Sequence, residues 1–241
     1  SDHRNDVVSL LAQYTNSTIF SGHTHYARTY TQLRSTYITE HIHQAVCGQW
    51  WWSNVEADGC PNGYTVYTIK GNSITDARLR GVNGPMADPA CQMRIYRGNL
   101  RTGGAYGWFQ WQLGAETLLI NVFNAHKTWK VKVYENGIYT GDAAWMDNEG
   151  SGFSGINKGE TFNVPVSSSQ DWWAQGYHIG YLGRGTSSDG YCSSNYHMFK
   201  YTMKDPSASV RVVATDFYGN EFECGEITSE CYPDYIICEK K

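Results

Sequence analysis

Apolar residues recur at Val7, Leu10, Leu11 and Tyr14, the spacing of one helix face, after Asn5 as a candidate N-cap and before the pattern fades at Asn16-Ser17. A short apolar run, Thr18-Ile19-Phe20, follows and ends abruptly in Ser21-Gly22-His23-Thr24-His25. Helix, turn, strand and polar loop form the close of an α/β unit. Further along, "HIHQAVCGQWW" (41–51) and "GYTVYTIKG" (63–71) read as strands completing that layer, joined by a loop carrying Asp58-Gly59 and Cys60-Pro61-Asn62-Gly63.

The texture changes at "GVNGPMADPA" (81–90), which is rich in Gly and Pro, and a domain boundary is expected there. Beyond it come short alternating runs: "CQMRIYRG", "TLLINVFNA", "WKVKVYENGIYTG", "HMFKYTM" and "SVRVVATDFYGNEFECGEI". In the third, Trp129, Val131 and Val133 alternate with Lys130, Lys132 and Tyr134, and Asn136-Gly137 is the preferred type I′ hairpin turn. The last repeats the design around Tyr218-Gly219-Asn220. No helical period of useful length follows Gly81. The expected fold class is α+β: the end of an α/β layer in residues 1–81, then an antiparallel β-sandwich of immunoglobulin-like or jelly-roll kind in residues 82–241. The tracts from Gly141 to Gln170 and from Leu182 to Asn195 are expected as loops.

The histidine loop carries the chemistry. Residues i and i+2 of a regular strand share a face but stand several ångströms apart, so His23 and His25 suit two ions better than one. Gly22 is free to take a positive φ, letting both imidazoles swing over the strand end. Two metals about 3.5–4 Å apart would each take one nitrogen. The competing reading is a pair of solvated loop histidines. His41 and His43, without a neighbouring carboxylate motif, read as solvent-facing.

At this point the chain resembles the calcineurin-like metallophosphoesterases, whose last metal motif is a GHxH at a strand end. The segment "AVCGQWWWSNVEADGCPNGYTVYTIKGNSITDARLRG" (45–81) resembles the C-terminal portion of a bacterial branch with a tryptophan-rich loop and a DGxPxGY turn. The resemblance implies His23 and His25 as metal ligands, two divalent ions (Mn, Fe or Zn) as cofactors, and a phosphate ester as substrate. It further implies in-line attack on phosphorus by a metal-bridging hydroxide. Arg28 and Tyr26, directly after the histidines, are candidate substrate contacts, because a guanidinium suits a bidentate phosphate.

The family's other motifs, D-x-H, G-D-x-x-D and G-N-H-[DE], are not found in order. Asp2-His3 has no spacer, Gly141-Asp142-Ala143-Ala144-Trp145 lacks the second Asp, and Gly219-Asn220-Glu221 and Gly98-Asn99-Leu100 lack the histidine. The chain is therefore expected to be the C-terminal part of a larger enzyme, partnered by an N-terminal catalytic segment and inactive alone. Two imidazoles without carboxylates bind divalent metal weakly.

Composition narrows the alternatives. The 241 residues, 41% apolar and 15% aromatic, are ample for a core. A net charge of -4 with scattered Lys and Arg offers no basic stripe, so no nucleic-acid partner is expected. No run approaches the ~18 apolar residues of a membrane span, and "SDHRND" is no signal peptide. The seven cysteines contain no CxxC, permit disulfides without establishing them, and read as buried thiols. The resemblance implies a periplasmic or secreted setting in the cell envelope. Trp50 to Trp52 suit either a substrate wall or an interdomain plug, and Trp172-Trp173 either core or a glycan platform. The latter keeps open a non-catalytic β-sandwich binding module for glycan or a cell-surface partner; a cap that orients a catalytic domain is a third class.

Overall fold

The computed structural model describes residues 3–31, 38–48, 53–82, 87–97, 114–146, 171, 174, 178 and 195–224. Trp50 to Trp52, Trp172, Trp173, and residues 147–170 and 182–194 of the loops expected over 141–170 and 182–195 lie outside them.

Helix α1 spans Arg4–Leu11, with His3 rather than Asn5 at the N-cap and no side-chain cap bond. Its phase also differs from the expected stripe. Val8 is buried against Ile38, with Leu11 and Ile19 packed on that pair, while Val7, Leu10 and Tyr14 are at least half exposed. The helix has apolar residues on more than one face, and periodicity alone does not choose which face docks.

Three short strands follow: β1 (Thr18–Ser21), β2 (Arg28–Tyr30) and β3 (Thr39–Ile42). They form one sheet in the order β1-β3-β2, with β1 parallel and β2 antiparallel to β3. Strand β3 starts two residues before the expected strand and stops at Ile42, so Ala45 to Cys47 lie in a turn. Next come β4 (Gly63–Lys70) and β5 (Ser73–Gly81), which pair only with each other as a two-stranded ribbon and do not extend the first sheet. Gly71, at φ +63, closes their turn.

The remaining strands are β6 (Met93–Arg97), β7 (Thr117–Val122), β8 (Lys130–Glu135), β9 (Ile138–Asp142), β10 (Ala144–Trp145), β11 (Met198–Thr202), β12 (Val210–Thr215) and β13 (Glu221–Cys224). They form two antiparallel four-stranded sheets, β10-β11-β7-β6 and β13-β12-β8-β9. Ile95, Leu118, Ile120 and Phe199 of the first share one hydrophobic cluster with Val131, Val133, Val212 and Phe222 of the second. The chain is thus β-rich, mostly antiparallel, with two sheets facing across a common core.

Both expected hairpins are present. Asn136 and Gly137 each take positive φ, +51 and +79, as a type I′ turn demands, and Gly219 takes +82 in the second. Gly141–Asp142 and Ala144–Trp145, expected as loop, are strand instead. Ala144 and Trp145 pair with Lys200 and Phe199, and this tertiary pairing overrides the local glycine.

Strands β6 and β7 are buried on both faces. The inward set is apolar except for Arg97 at the end of β6. By alternation the outward set contains Arg94, Tyr96 and Asn121, and what covers this polar face organises the site.

Candidate functional site

The histidine turn lies at the end of β1. Gly22 is not among the positive-φ residues; His23, at φ +81, and His25, at φ +56, adopt the left-handed conformation themselves. The expected glycine hinge is therefore corrected: the reversal is carried by the histidines, a strained arrangement of the kind that clusters at ligand sites. His23 and Thr24 are exposed and His25 is half-buried. The His25 Nδ1–H donates to the Gly48 carbonyl at 2.8 Å, which fixes the tautomer and presents Nε2 as the lone-pair nitrogen. A backbone carbonyl on the far ring nitrogen is a recurrent support for metal-ligating histidines. The residues thus fit one imidazole ligand at His25, with an exposed second at His23.

The loop from Glu56 to Asn62 holds this turn in place. Asp58 is fully buried, and its Oδ2 accepts from Ala27 N–H at 2.6 Å, pinning the chain just after the histidine turn. Its Oδ1 accepts from Cys60 N–H at 2.9 Å, an Asx turn. The Asn62 side chain donates to Ser53 O at 2.7 Å and sits against Gly48, whose φ is +53. A Cβ at Gly48 would overlap that amide, so the residue accepting from His25 is glycine for want of space.

Behind the loop lies the outward face of the β6–β7–β11 sheet. Asn121 Nδ2 donates to Asp58 O at 3.1 Å and to Asp171 Oδ2 at 2.7 Å, which leaves Asn121 Oδ1 to accept from His197 Nδ1–H at 2.6 Å. The other nitrogen of His197 faces Asp58 Oδ2 at 3.0 Å, with both side chains wholly buried. Tyr96 donates to Asp171 Oδ2 at 2.7 Å, and Asn195 Nδ2 to Asp58 O at 2.6 Å. Burial pushes the Asp171 carboxyl up, offset by Arg94.

Asp58, Cys60 and His197 bring their ligand atoms within 4.8 Å of one another, the one such group among the described residues. A mixed O, S and N set suits zinc, but it is one ligand short of a closed tetrahedron. Every member is already engaged: Cys60 Sγ contacts His197 Nε2 at 3.6 Å, and burial beside Asp58 pushes its thiol well up. The group works as a hydrogen-bonded pin between loop and sheet. Of the cysteines expected as buried thiols, Cys60 is buried, whereas Cys47, Cys91 and Cys224 are only half-buried.

His41 and His43 depart from the solvent-facing expectation. His43 Nδ1–H donates to Ser21 O at 3.0 Å and its Nε2 accepts from Tyr67 O–H at 2.7 Å. His41 is buried; burial first, then His43 and His126, lower its pKa to about 4. The β4–β5 ribbon covers both, a placement that no local pattern announces.

Tyr26 and Arg28 are both half-buried, and Tyr196 brings them together: its ring lies 5.9 Å from that of Tyr26 and 3.6 Å from the Arg28 guanidinium. A family model described as the C-terminal region of calcineurin-like phosphoesterases matches residues 40–222. The chain belongs to this family. No curated protein and no solved structure matches it. The family match covers the Asp58 loop, the ribbon and both large sheets, and begins downstream of His23 and His25. Membership implies divalent metals in the phosphoesterase to which such a region belongs. No helix among the described residues is long and apolar enough to cross a membrane. Sequence reasoning missed Asp58, Asn121 and His197 as a unit, and the one available signal was the Asp58-Gly59 turn.

Proposed function

We propose that this chain is the C-terminal part of a dinuclear-metal phosphoesterase, with His23 and His25 each giving one imidazole to a divalent ion, Mn, Fe or Zn. The observation that carries the reading is the His25 Nδ1–H bond to Gly48 O, together with positive φ at both histidines where β1 ends. Bound there, the ions supply positive charge to the oxygens of an in-line displacement at phosphorus. The chain's own contribution is to orient His25 through Gly48 and to hold the turn through Asp58. Tyr26 and Arg28, one and three residues beyond His25, supply substrate contacts.

Residues 1–81 then belong to an α/β catalytic layer and residues 82–241 to a β-sandwich. Supporting the first part are the parallel β1–β3 pair, β1 at the sheet edge, and the exposed Val7, Leu10 and Tyr14 of α1, features suited to a partner catalytic segment. The two parts are tied rather than tethered: Gln92 donates to Leu79 O at 2.9 Å and accepts from Leu79 N–H at 3.1 Å. An envelope or periplasmic location goes with this reading. The test is metal binding and hydrolysis. This chain should bind Mn²⁺ or Zn²⁺ weakly, lose that binding in His25→Ala, and hydrolyse no phosphate ester. A longer natural product containing it should hydrolyse one in a His23-dependent manner. Full activity with His23→Ala and His25→Ala would sink the proposal.

A second reading, a non-catalytic module for glycan, is supported by a cavity of about 290 Å³ whose lining includes Asn16, Ser17, Thr39 and Asn72 together with Phe217 and Tyr218. Neutral hydroxyls and amides beside aromatic rings suit a sugar. Glycan retention abolished by Phe217→Ala, with metals irrelevant, would favour it.

A further inference from the structure

Strand β1 hands over to the histidine turn at Ser21, its last residue. Beyond it the packing stops: Gly22, His23 and Thr24 are exposed, and a Cβ placed at Gly22 would meet nothing within 4 Å. Further on, the His25 ring is tied to the Gly48 carbonyl and Ala27 N–H is held by Asp58. The His23 side chain has no hydrogen-bond partner among the described residues, so its direction is set by its backbone, at φ +81. The nearest fixed point before it is the Ser21 carbonyl, which shares a rigid peptide plane with Gly22 N–H. What fixes that carbonyl therefore decides where His23 points. We infer that His43 and Tyr67 are positioning residues for His23, acting through Ser21 O. Their value as supports of a metal ligand rests on the phosphoesterase reading; the mechanical link does not.

Ser21 O accepts twice from one residue, from His43 N–H at 2.9 Å and from His43 Nδ1–H at 3.0 Å. The first bond carries the parallel β1–β3 ladder one step past Ile42. The second is no part of a ladder and exists only because a histidine stands there. A neutral ring that donates from Nδ1 accepts at Nε2, and Tyr67 O–H donates to it at 2.7 Å. Burial lowers the His43 pKa against the opposing pull of the Ser21 carbonyl, which favours this neutral form.

Tyr67 stands on β4, in the ribbon rather than in the sheet that carries β1. Its ring lies 4.7 Å from that of Phe20, the residue before Ser21, and edge-on to His43 at 5.5 Å. The ribbon thus meets the end of β1 through a ring contact and through a chain of two hydrogen bonds, in which each bond polarises the next. Without the hydroxyl, Nε2 loses its donor and the imidazole is freer to turn away from Ser21 O. The histidine turn is then clamped at its entry by His43, at its middle by Gly48 and at its exit by Asp58. His23 lies between the first two clamps and, with no side-chain bond of its own, depends on the entry.

The probe is the backbone of the full chain, followed by ¹⁵N relaxation in the presence of a chelator, and then a Zn²⁺ titration. Tyr67→Phe keeps the ring against Phe20 and removes only the hydroxyl; His43→Ala removes both side-chain bonds. The His23 order parameter should stand near the rigid value of about 0.85 in the parent and fall toward about 0.6 in His43→Ala, with Tyr67→Phe between them and His25 little changed. Zn²⁺ affinity should weaken roughly three- to tenfold in Tyr67→Phe, the worth of one hydrogen bond. A merely structural role gives a different result, a lower urea midpoint with His23 as ordered as before. A His23 already mobile in the parent, an order parameter unchanged in both variants, or Zn²⁺ affinity equal to that of a binding parent would overturn the inference. If the parent binds no Zn²⁺, the metal reading fails alone, because the order parameters are measured without metal and still decide the link to His23.

Discussion

Replacing Glu56 by Gln tests the electrostatics of the central loop. Glu56 is fully buried; its Oε1 accepts from Ala45 N–H at 2.8 Å, and its Oε2 has no hydrogen-bond partner among the described residues. Burial first, and the Asp58 charge second, push its carboxyl up to about 9 from an ordinary 4.5. For an acid raised in the fold, stabilisation is complete below the ordinary value and drains away as pH climbs toward 9, because the unfolded chain sheds its proton first. At pH 7 the gap above 4.5 is two and a half pH units. At about 1.4 kcal/mol per unit, burying Glu56 then costs on the order of 3 kcal/mol relative to acid. Gln keeps the acceptor for Ala45 and cannot ionise. Urea unfolding from about pH 5 to about pH 8 should therefore show Glu56→Gln gaining on the parent by roughly 1 kcal/mol per pH unit, on top of any constant offset from unsatisfied amide protons. A difference that stays constant across that range would refute the reasoning, and would mean that a cation or donor keeps the carboxylate ionised.

His41 pulls the other way. As a base lowered to about 4, it contributes stability that is present above 6.5 and lost as pH falls through 4, so acid unfolding should be delayed by His41→Gln. Gly48→Ala forces a Cβ into the Asn62 amide at φ +53; it should cost about 1–3 kcal/mol and shift the His25 imidazole signals in an NMR titration. Asp58→Ala leaves His197 and the Ala27 amide buried without their acceptor, an expected loss of about 3–5 kcal/mol in denaturant unfolding.

The parts of the fold that were legible in the sequence are those specified locally. The Asn136-Gly137 hairpin follows from turn chemistry, and the alternation of Val131 and Val133 with Lys130 and Lys132 matches one buried and one more open face. Helix α1 was legible in type but not in orientation, since Val8 and not Val7 meets Ile38. Of the site, the His23–His25 turn announced itself because a strand ends there. The Asp58–His197 pair did not, because 139 residues separate its members and such a pairing leaves no periodic trace. The burial of His41 likewise depends on a ribbon that local pattern assigned to the wrong sheet.

These failures have a common source, which also bears on what the family region contributes. The segment matched by the family begins at residue 40 and so contains neither His23 nor His25, yet it contains Gly48, Asp58, Asn62, Asn121 and His197. Each of these acts on the histidine turn at one remove: Gly48 orients His25, Asn62 fills the space beside Gly48, and Asp58 pins Ala27. Asn121 and His197 then fasten Asp58 to the outer face of a sheet whose inner face is the main hydrophobic core. The free energy of that core is thereby put to holding two strained histidines still, which an exposed loop at a strand end could not do alone. On this argument the C-terminal region is a rigid platform for the histidine turn carried just upstream of it, and damage to the pin should disturb that turn before it unfolds the sheets.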